Sequence, residues 1–327
     1  MRRALVARLV ALAAVLAYPV DLRADEATAV AWVEKHGGKI TRDDNRNGGP
    51  VVNVDLYRIG RSDVTDAGLK ELSSLRDLQR LNIGFSKVTD AGLKELASFR
   101  NLENLNLCFT QVTDAGIKEL APLRSLHTLD LNSTKITDAG LTQLASYKSL
   151  RNLTLCCTNL TDAGLRQLAS LEDLEAINLF GTSVTDTGLK LLASLKSLRV
   201  LELDHTRVTD TGMKELTALQ NLQWLSLWNA HITDAGLKQL ATIKSLRNLN
   251  LRGTQITDVG LKELATLHQL QELILQTTGV TDAGLQELGS LKALRKVYLN
   301  GTSVTASGMA ELKKALPECD VSQVLIE

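Results

Sequence analysis

Aromatic residues are scarce in this chain: 3% of 327 positions, with three Trp, four Phe and four Tyr. Each exposed ring is therefore informative. Proline is scarcer still, at four residues, so few segments are forced out of regular structure. There are only four cysteines, and their spacing fits neither a disulfide framework nor a metal-ligand pattern. Net charge is absent, with 37 Lys and Arg against 37 Asp and Glu. That argues against a nucleic-acid binder, which needs a basic face to neutralise phosphates. Beyond the first residues there is no long apolar run, which excludes a polytopic membrane protein. Hydrophobic residues at 44% and charged residues at 23% exclude a mainly disordered or collagen-like chain.

The exception at the start reads as a targeting signal. Met1-Arg2-Arg3 is basic, and Ala4 to Ala17 is almost wholly Ala, Leu and Val, broken by Arg8. The run is shorter than the about 20 residues of a membrane-spanning helix. A basic start, a short apolar core and small residues beyond it describe a secretory signal peptide, with cleavage after Ala17 or Ala24. An uncleaved N-terminal anchor is the alternative, and only then would a membrane be a partner. Removing residues 1–24 takes away Arg2, Arg3, Arg8, Arg23 and Asp21, leaving a net charge of −3, which favours no charged partner.

What the chain has in abundance is repetition. Thr65-Asp66-Ala67-Gly68-Leu69 recurs from Thr89, Thr113, Thr137, Thr161, Thr185, Thr209, Thr233, Thr257 and Thr281, always after 24 residues. A degraded copy follows at Thr305-Ala306-Ser307-Gly308-Met309. A fixed period in this range means one stacked array rather than two separate globules. Within a unit, Leu69, Leu72 and Leu75 form the apolar stripe of a short helix. Thr65 or Asp66 is placed to cap its start. Gly68 in the first turn implies close approach of the neighbouring coil, because glycine otherwise weakens a helix. Leu78 to Ile83 ends in alternation, a short strand with Leu81 and Ile83 inward.

The resulting pattern, L-x-x-L-x-L-x-x-T-x-V/I-T-D-x-G-L-x-x-L over residues 51 to about 321, resembles the leucine-rich repeat. Within that superfamily it is similar to the cysteine-containing subfamily found behind F-box domains and in many secreted bacterial proteins. No F-box is evident here. The subfamily's cysteine column is instead Ser62, Ser86, Thr110, Thr134, Thr158, Thr182, Thr206, Ala230, Thr254, Thr278 and Thr302. Such hydroxyls are expected to donate to a carbonyl of the adjacent coil. The resemblance implies an α/β fold: a horseshoe solenoid of the ribonuclease-inhibitor type, about eleven repeats long, with a concave parallel sheet and convex short helices. Eleven strands would run roughly 50 Å.

Such an array needs caps at both ends. Asp25 to His36 reads as a capping helix carrying Trp32 and Val33, with extended segments at Lys39–Thr41 and Pro50–Leu56 beside it. At the other end Met309 and Leu312 continue the helical stripe until Pro317, and Val321 falls at the next strand position. The expected organisation is a signal peptide (1–24), an N-terminal cap (25–53), the repeats (54–304), and a last helix with C-terminal cap (305–327).

Three columns flank the inward leucines and vary from unit to unit while the framework stays fixed, as on a binding surface carried by a rigid scaffold. One runs from Arg80 to Lys296 through Trp224, the next from Asn82 to Tyr298 through Glu202 and Ser226, and the third from Gly84 to Asn300 through Phe180, Asp204, Trp228 and Arg252. Trp224 and Trp228 are expected in one strand and on one face, with Phe180, Glu202, Asp204, His205 and Arg252 one or two repeats away. Exposed aromatics flanked by charges and Arg have the composition of an interface hot spot. Phe85 and Phe109 are expected to stack as local packing.

His205 beside Asp204, with Ser226 one strand over, invites comparison with a catalytic triad. An open sheet supplies no pocket, though, and no nucleophile or metal-ligand spacing recurs. No catalytic residue, cofactor or metal is expected. A calcium ladder on the repeated Asp is disfavoured because each Asp has a local capping role. Cys108 and Cys156, two coils apart, are too distant for a disulfide. The sequence therefore reads as an exported, non-catalytic scaffold binding a protein of unspecified identity. A carbohydrate-binding or structural envelope protein is the alternative, and a hydrolase the third reading.

Overall fold

The computed structural model describes residues 20–43, 48–57 and 64–323, with 20–24 as backbone alone. The apolar N-terminal run, Ser62 and the last four residues lie outside this range. The first helix, α1 (Val20–Lys35), is followed by strands β1 (Lys39–Arg42) and β2 (Val51–Asp55), which pair antiparallel. Ten repeat strands follow: β3 (Arg80–Asn82), β4 (Asn104–Asn106), β5 (Thr128–Asp130), β6 (Asn152–Thr154), β7 (Ala176–Asn178), β8 (Val200–Glu202), β9 (Trp224–Ser226), β10 (Asn248–Asn250), β11 (Glu272–Ile274) and β12 (Lys296–Tyr298). β13 (Asp320–Ser322) closes the sheet at the position expected for Val321. The thirteen strands lie in sequence order, and from β2 onward every pairing is parallel. The sheet thus holds thirteen strands against the eleven expected: ten from the repeats and three, β1, β2 and β13, from the two ends.

Between strands runs one short helix per coil, from α2 (Asp66–Glu71) to a last, longer helix at Ala306–Ala315. In one central coil Leu165, Leu168, Leu171, Leu174, Ile177, Leu179 and Val184 are all at or below 1% exposure, and this column continues as one cluster through the array. Each such side chain contributes about 1.5–3 kcal/mol when buried. Among the described residues, no helix is long and apolar enough to cross a membrane.

Of the two residues expected as the cap in the Thr-Asp-x-Gly signature, one is used and the other has a second task. Thr is the cap: Thr113 Oγ1 accepts from the Ala115 amide at 3.2 Å. Asp reaches forward into the next coil. Asp90 accepts from the Thr113 amide (2.8 Å) and hydroxyl (2.6 Å), and the same pair of bonds recurs from Asp66–Thr89 to Asp282–Thr305. The carboxylate therefore orders the very threonine that caps the following helix. Glycine makes room for it. A Cβ on Gly116 would stand 2.3 Å from Asp90 Oδ1, and Gly92, Gly140, Gly164 and their successors face the preceding Asp in the same way. The expected close approach at Gly68 is present too, but its neighbour is the ring of Trp32 on α1, 2.6 Å from the Cβ site. The cap helix thus occupies the place an Asp holds elsewhere.

The hydroxyl column also differs from expectation. Thr110 Oγ1 donates to Leu107 O, and Thr134, Thr158, Thr182, Thr206, Thr254, Thr278 and Thr302 repeat this bond within their own turn. Coils are instead joined there by main chain, as in Phe109 N to Asn132 O and Cys157 N to Phe180 O.

The fit of glycine against aspartate is testable at Gly260, whose Cβ would meet Asp234 Oδ1 at 2.3 Å and Leu237 Cδ2 only at 3.1 Å. We expect Gly260→Ala to destabilise by about 1–3 kcal/mol, and Asp234→Ala by about 1–3 kcal/mol through loss of two hydrogen bonds. The double variant should fall short of the sum by at least about 1 kcal/mol in urea unfolding. Strict additivity would show that the glycine is not there for the carboxylate.

Candidate functional site

The site lies on β7 to β10 and the turns that follow them. Strands of three residues present two side chains to the concave face and bury the middle one, so Val200 and Glu202, and Trp224 and Ser226, flank Leu201 and Leu225. The third column is not part of the strands. Trp228 sits two residues past the end of β9, so the expectation that both tryptophans share a strand is corrected, and Asp204 stands in the same relation to β8. This explains its mixed exposure: Asp204, Cys108, Cys156 and Gln276 are buried, while Phe180, Trp228 and Arg252 are half-buried. Both tryptophans lie outside the leucine core.

The residue after this column carries a backbone constraint that periodicity does not reveal. Phe85, Phe109, Ser133, Cys157, His205, Asn229 and Thr277 all have φ between 52° and 64°, and Gly181, Gly253 and Gly301 fill the same place at 66° to 75°. This left-handed turn points His205 out to solvent beside its neighbours' rings. Phe180, His205 and Trp228 form a continuous group: ring centroids are 5.1 Å apart for Phe180–His205, 4.7 Å for His205–Trp228 in an edge-to-face arrangement, and 6.0 Å for Phe180–Trp228. The Arg252 guanidinium lies over the Trp228 ring at 4.6 Å, a cation–π contact. Four of the seven residues singled out in sequence thus touch in series.

Asp204, Glu202 and Trp224 are held nearby by polar contacts and burial. In several coils the strand's last residue accepts from the amide two positions on, as Asn178 does from Phe180 and Asn250 from Arg252. Ser226 is too short for this. Asp204 of the previous coil takes over, accepting from the Trp228 amide (2.7 Å) and the Ser226 hydroxyl, which in turn accepts from Asn250 Nδ2 (2.9 Å). Burial raises the Asp204 carboxyl above its usual range against these bonds, and it raises Glu202 too, helped by the Asp204 charge and opposed by the hydrogen bond from Asn178 Nδ2. Trp224 Nε1 is buried and has no hydrogen-bond partner, which costs about 1–3 kcal/mol.

These bonds give Ser226 and His205 roles unlike those of a triad. The hydroxyl is bound to the carboxylate rather than to imidazole, and the His205 ring nitrogen Nε2 meets Asn229 Nδ2 at 3.3 Å. None of the four cysteines forms a disulfide. Cys156 is buried and its thiol pushed up to about 12 by desolvation and the carboxylates of Glu202 and Asp130, while Cys157 is exposed. Among the described residues no His, Cys, Asp or Glu group could hold a metal ion.

A family profile described as a leucine-rich repeat region matches residues 117–321, more than half of the chain, and one described as a single leucine-rich repeat matches residues 74–97. The chain is a leucine-rich repeat protein. Two solved structures of internalins from Listeria monocytogenes share its fold. One, inlF, is 21% identical with a TM-score of 0.59, the match covering 93% of this chain and 96% of that one. The other, internalin C2 (inlC2), is 29% identical with a TM-score of 0.52, covering 72% and 92%. No curated protein matches the sequence significantly. The leucine-rich repeat supports a coarse functional statement: its solenoid is an architecture typical of protein–protein interaction scaffolds.

The buried carboxyls give a pH prediction. A carboxyl raised on folding contributes stability below its ordinary pKa and loses it as pH rises through the folded value. Glu202→Gln removes that loss. In thermal unfolding the variant should therefore be more stable than wild type at pH 7, and the gap should close as pH falls to the ordinary glutamate range near about 4.3. A gap that widens on acidification would show that Glu202 is held ionised rather than strained by burial.

Proposed function

We propose that this leucine-rich repeat protein is an exported, non-catalytic scaffold that binds another protein through the concave face around Trp224 and Trp228, with Phe180, Glu202, Asp204, His205 and Arg252 completing the contact surface. The observation that carries this is the Phe180–His205–Trp228–Arg252 series, half-exposed at the concave margin, in a chain with few aromatics. None of these side chains is needed by the leucine core. The Trp224 ring is kept with its N–H unpartnered, at a cost that a hydrophobic residue without a polar atom would avoid. Aromatics and Arg at a desolvated centre make the strongest interface contacts. A preformed, stitched surface loses little freedom on binding, so more of the contact energy appears as affinity. The commitment of Ser226 to Asp204 supports a role without chemistry.

The same reading takes residues 1–24 as a removable export signal, 25–53 as N-terminal cap, 54–304 as repeats and 305–327 as C-terminal cap. It places the chain with the secreted bacterial repeats similar to the cysteine-containing subfamily. Export fits a fold that rests on packing and hydrogen bonds and needs no disulfide.

The test is a Trp224→Ala, Trp228→Ala double variant, with retained folding checked by its unfolding transition. Immobilised beside wild type in native extract, it should lose at least tenfold of every specifically captured protein, the scale expected when hot-spot rings are truncated. Equal capture would remove this patch as the site. Binding to arrayed glycans that survives protein depletion would instead favour a carbohydrate ligand.

A further inference from the structure

Bulky residues rarely adopt the left-handed backbone, yet two phenylalanines do so here. Phe85 has φ 64° and Phe109 φ 54°, at the position that Gly181, Gly253 and Gly301 fill without strain. Their rings stack at 4.2 Å with an interplanar angle of 17°, and Tyr57 meets Phe85 edge-on at 5.2 Å. Phe109 ends the stack and is 44% exposed, and Tyr57 is 37% exposed. The strain of this backbone is retained at residues whose apolar surface faces solvent.

Along the same row the next positions are small: Ser133, Cys157 and Gly181. The row then rises again at His205, beside Phe180 and Trp228. A shallow trough therefore lies between two aromatic groups. From Phe109 to His205 is four coil steps, about 19 Å at ~4.8 Å per strand. Its charge is of one sign. In the coils of β5 to β8, the two outward strand positions and the two turn positions after them hold Asp130, Glu202 and Asp204 and no Lys or Arg. Arg252 lies over Trp228 at 4.6 Å, at the far end of the row, while Arg151 and Arg199 stand before the opposite ends of their strands and pair with Glu175 at 3.6 and 3.8 Å.

We propose that this margin, from Phe109 to Trp228, is a track for an extended basic segment of the protein partner, which seats one apolar side chain at each aromatic group and a Lys or Arg side chain over Asp130 and Glu202. The inference rests on the protein-binding reading above and adds a second anchor, Tyr57, Phe85 and Phe109, together with the chemistry of the occupant. A segment of about six extended residues spans the distance at ~3.3 Å each. Charge complementarity selects it: a cation entering this face meets three carboxylates, two of which, Asp130 and Glu202, have been partly stripped of water and given no opposite charge by hydrogen bonding. The central cation sits between apolar anchors, so sequence register along the track is fixed by both ends.

The test uses a random dodecapeptide display library selected on the whole protein, followed by affinity measurement with synthetic copies of the enriched peptides. Phe85→Gly with Phe109→Gly removes the N-terminal anchor while placing glycine where the backbone favours it. Phe109→Ser, matching the residue at Ser133, repeats the test should the double variant fold poorly. The expected result is enrichment of peptides with Lys or Arg between aromatic or aliphatic residues, weakened at least tenfold by Phe85→Gly/Phe109→Gly, by Asp130→Asn/Glu202→Gln and by Trp228→Ala. Enriched peptides that lack basic residues, or that lose affinity with Trp228→Ala but not with the phenylalanine variants, would overturn the track and leave the concave binding site standing. No enrichment, or indifference to every variant, would overturn both.

Discussion

The carboxylate-to-threonine stitch between successive coils is the interaction on which the rest of the structure depends. Leucine burial is non-directional, and a column of leucines alone would let neighbouring coils slide or rotate. The Asp–Thr pair adds direction. Two hydrogen bonds fix one coil's helix start against the next, the threonine so held caps that next helix, and the missing Cβ of glycine sets how close the two can come. Register in the sheet follows. Each strand pairs with the next at a shift of 24 residues, with no bulge from β3 to β13.

The ends of the array obey the same constraint. At the C-terminal side Asp282 bonds to Thr305, and those bonds hold its carboxyl below the ordinary range. Ala306 stands where the next Asp would be, so nothing is offered to a further coil, and the last helix lengthens to Ala306–Ala315 instead. At the N-terminal side Thr65 makes no side-chain cap bond, and Trp32 of α1 covers Gly68. One tryptophan is thus spent on closing the stack, which leaves Trp224 and Trp228 as the only tryptophans free of that task.

The architecture was legible because its cause is periodic. Leucine spacing specifies helix and strand, constant length specifies a stack without insertions, and a glycine in a helix's first turn, as at Gly68, signals close packing. The partition of Thr-Asp-x-Gly was not legible, since both residues are good helix caps and only coordinates show that the carboxylate belongs to the following coil. The hydroxyl column went the same way: a threonine hydroxyl can serve its own turn or the next, and in the structure Thr110 donates to Leu107 O at 2.7 Å. For the candidate site, four of the residues singled out in sequence touch in series, but their arrangement was not legible. Column reading assumes strands long enough to keep alternating, whereas strands of three residues end before Phe180, Asp204 and Trp228. Alternation therefore predicts nothing about which of them is buried. The substitution that signals the exchange is Ser226 in a column where Asn or Asp would have satisfied the Trp228 amide locally.

The left-handed row shows most directly where this fold leaves its sequence free. Each coil must turn at the same place, with its amide bonded to the next coil, so the backbone there is dictated and only the side chain varies. Stability alone favours glycine, or asparagine, which tolerates such a turn. Phenylalanine, histidine and cysteine gain nothing from the backbone at Phe85, Phe109, His205 and Cys157. Their side chains stand at the margin of a rigid wall, where the fold has already fixed position and direction. In the proposed binding reading, a residue that local energetics disfavours at a position the core does not use is kept for what it meets outside the chain, and the rings gather at two places along the row.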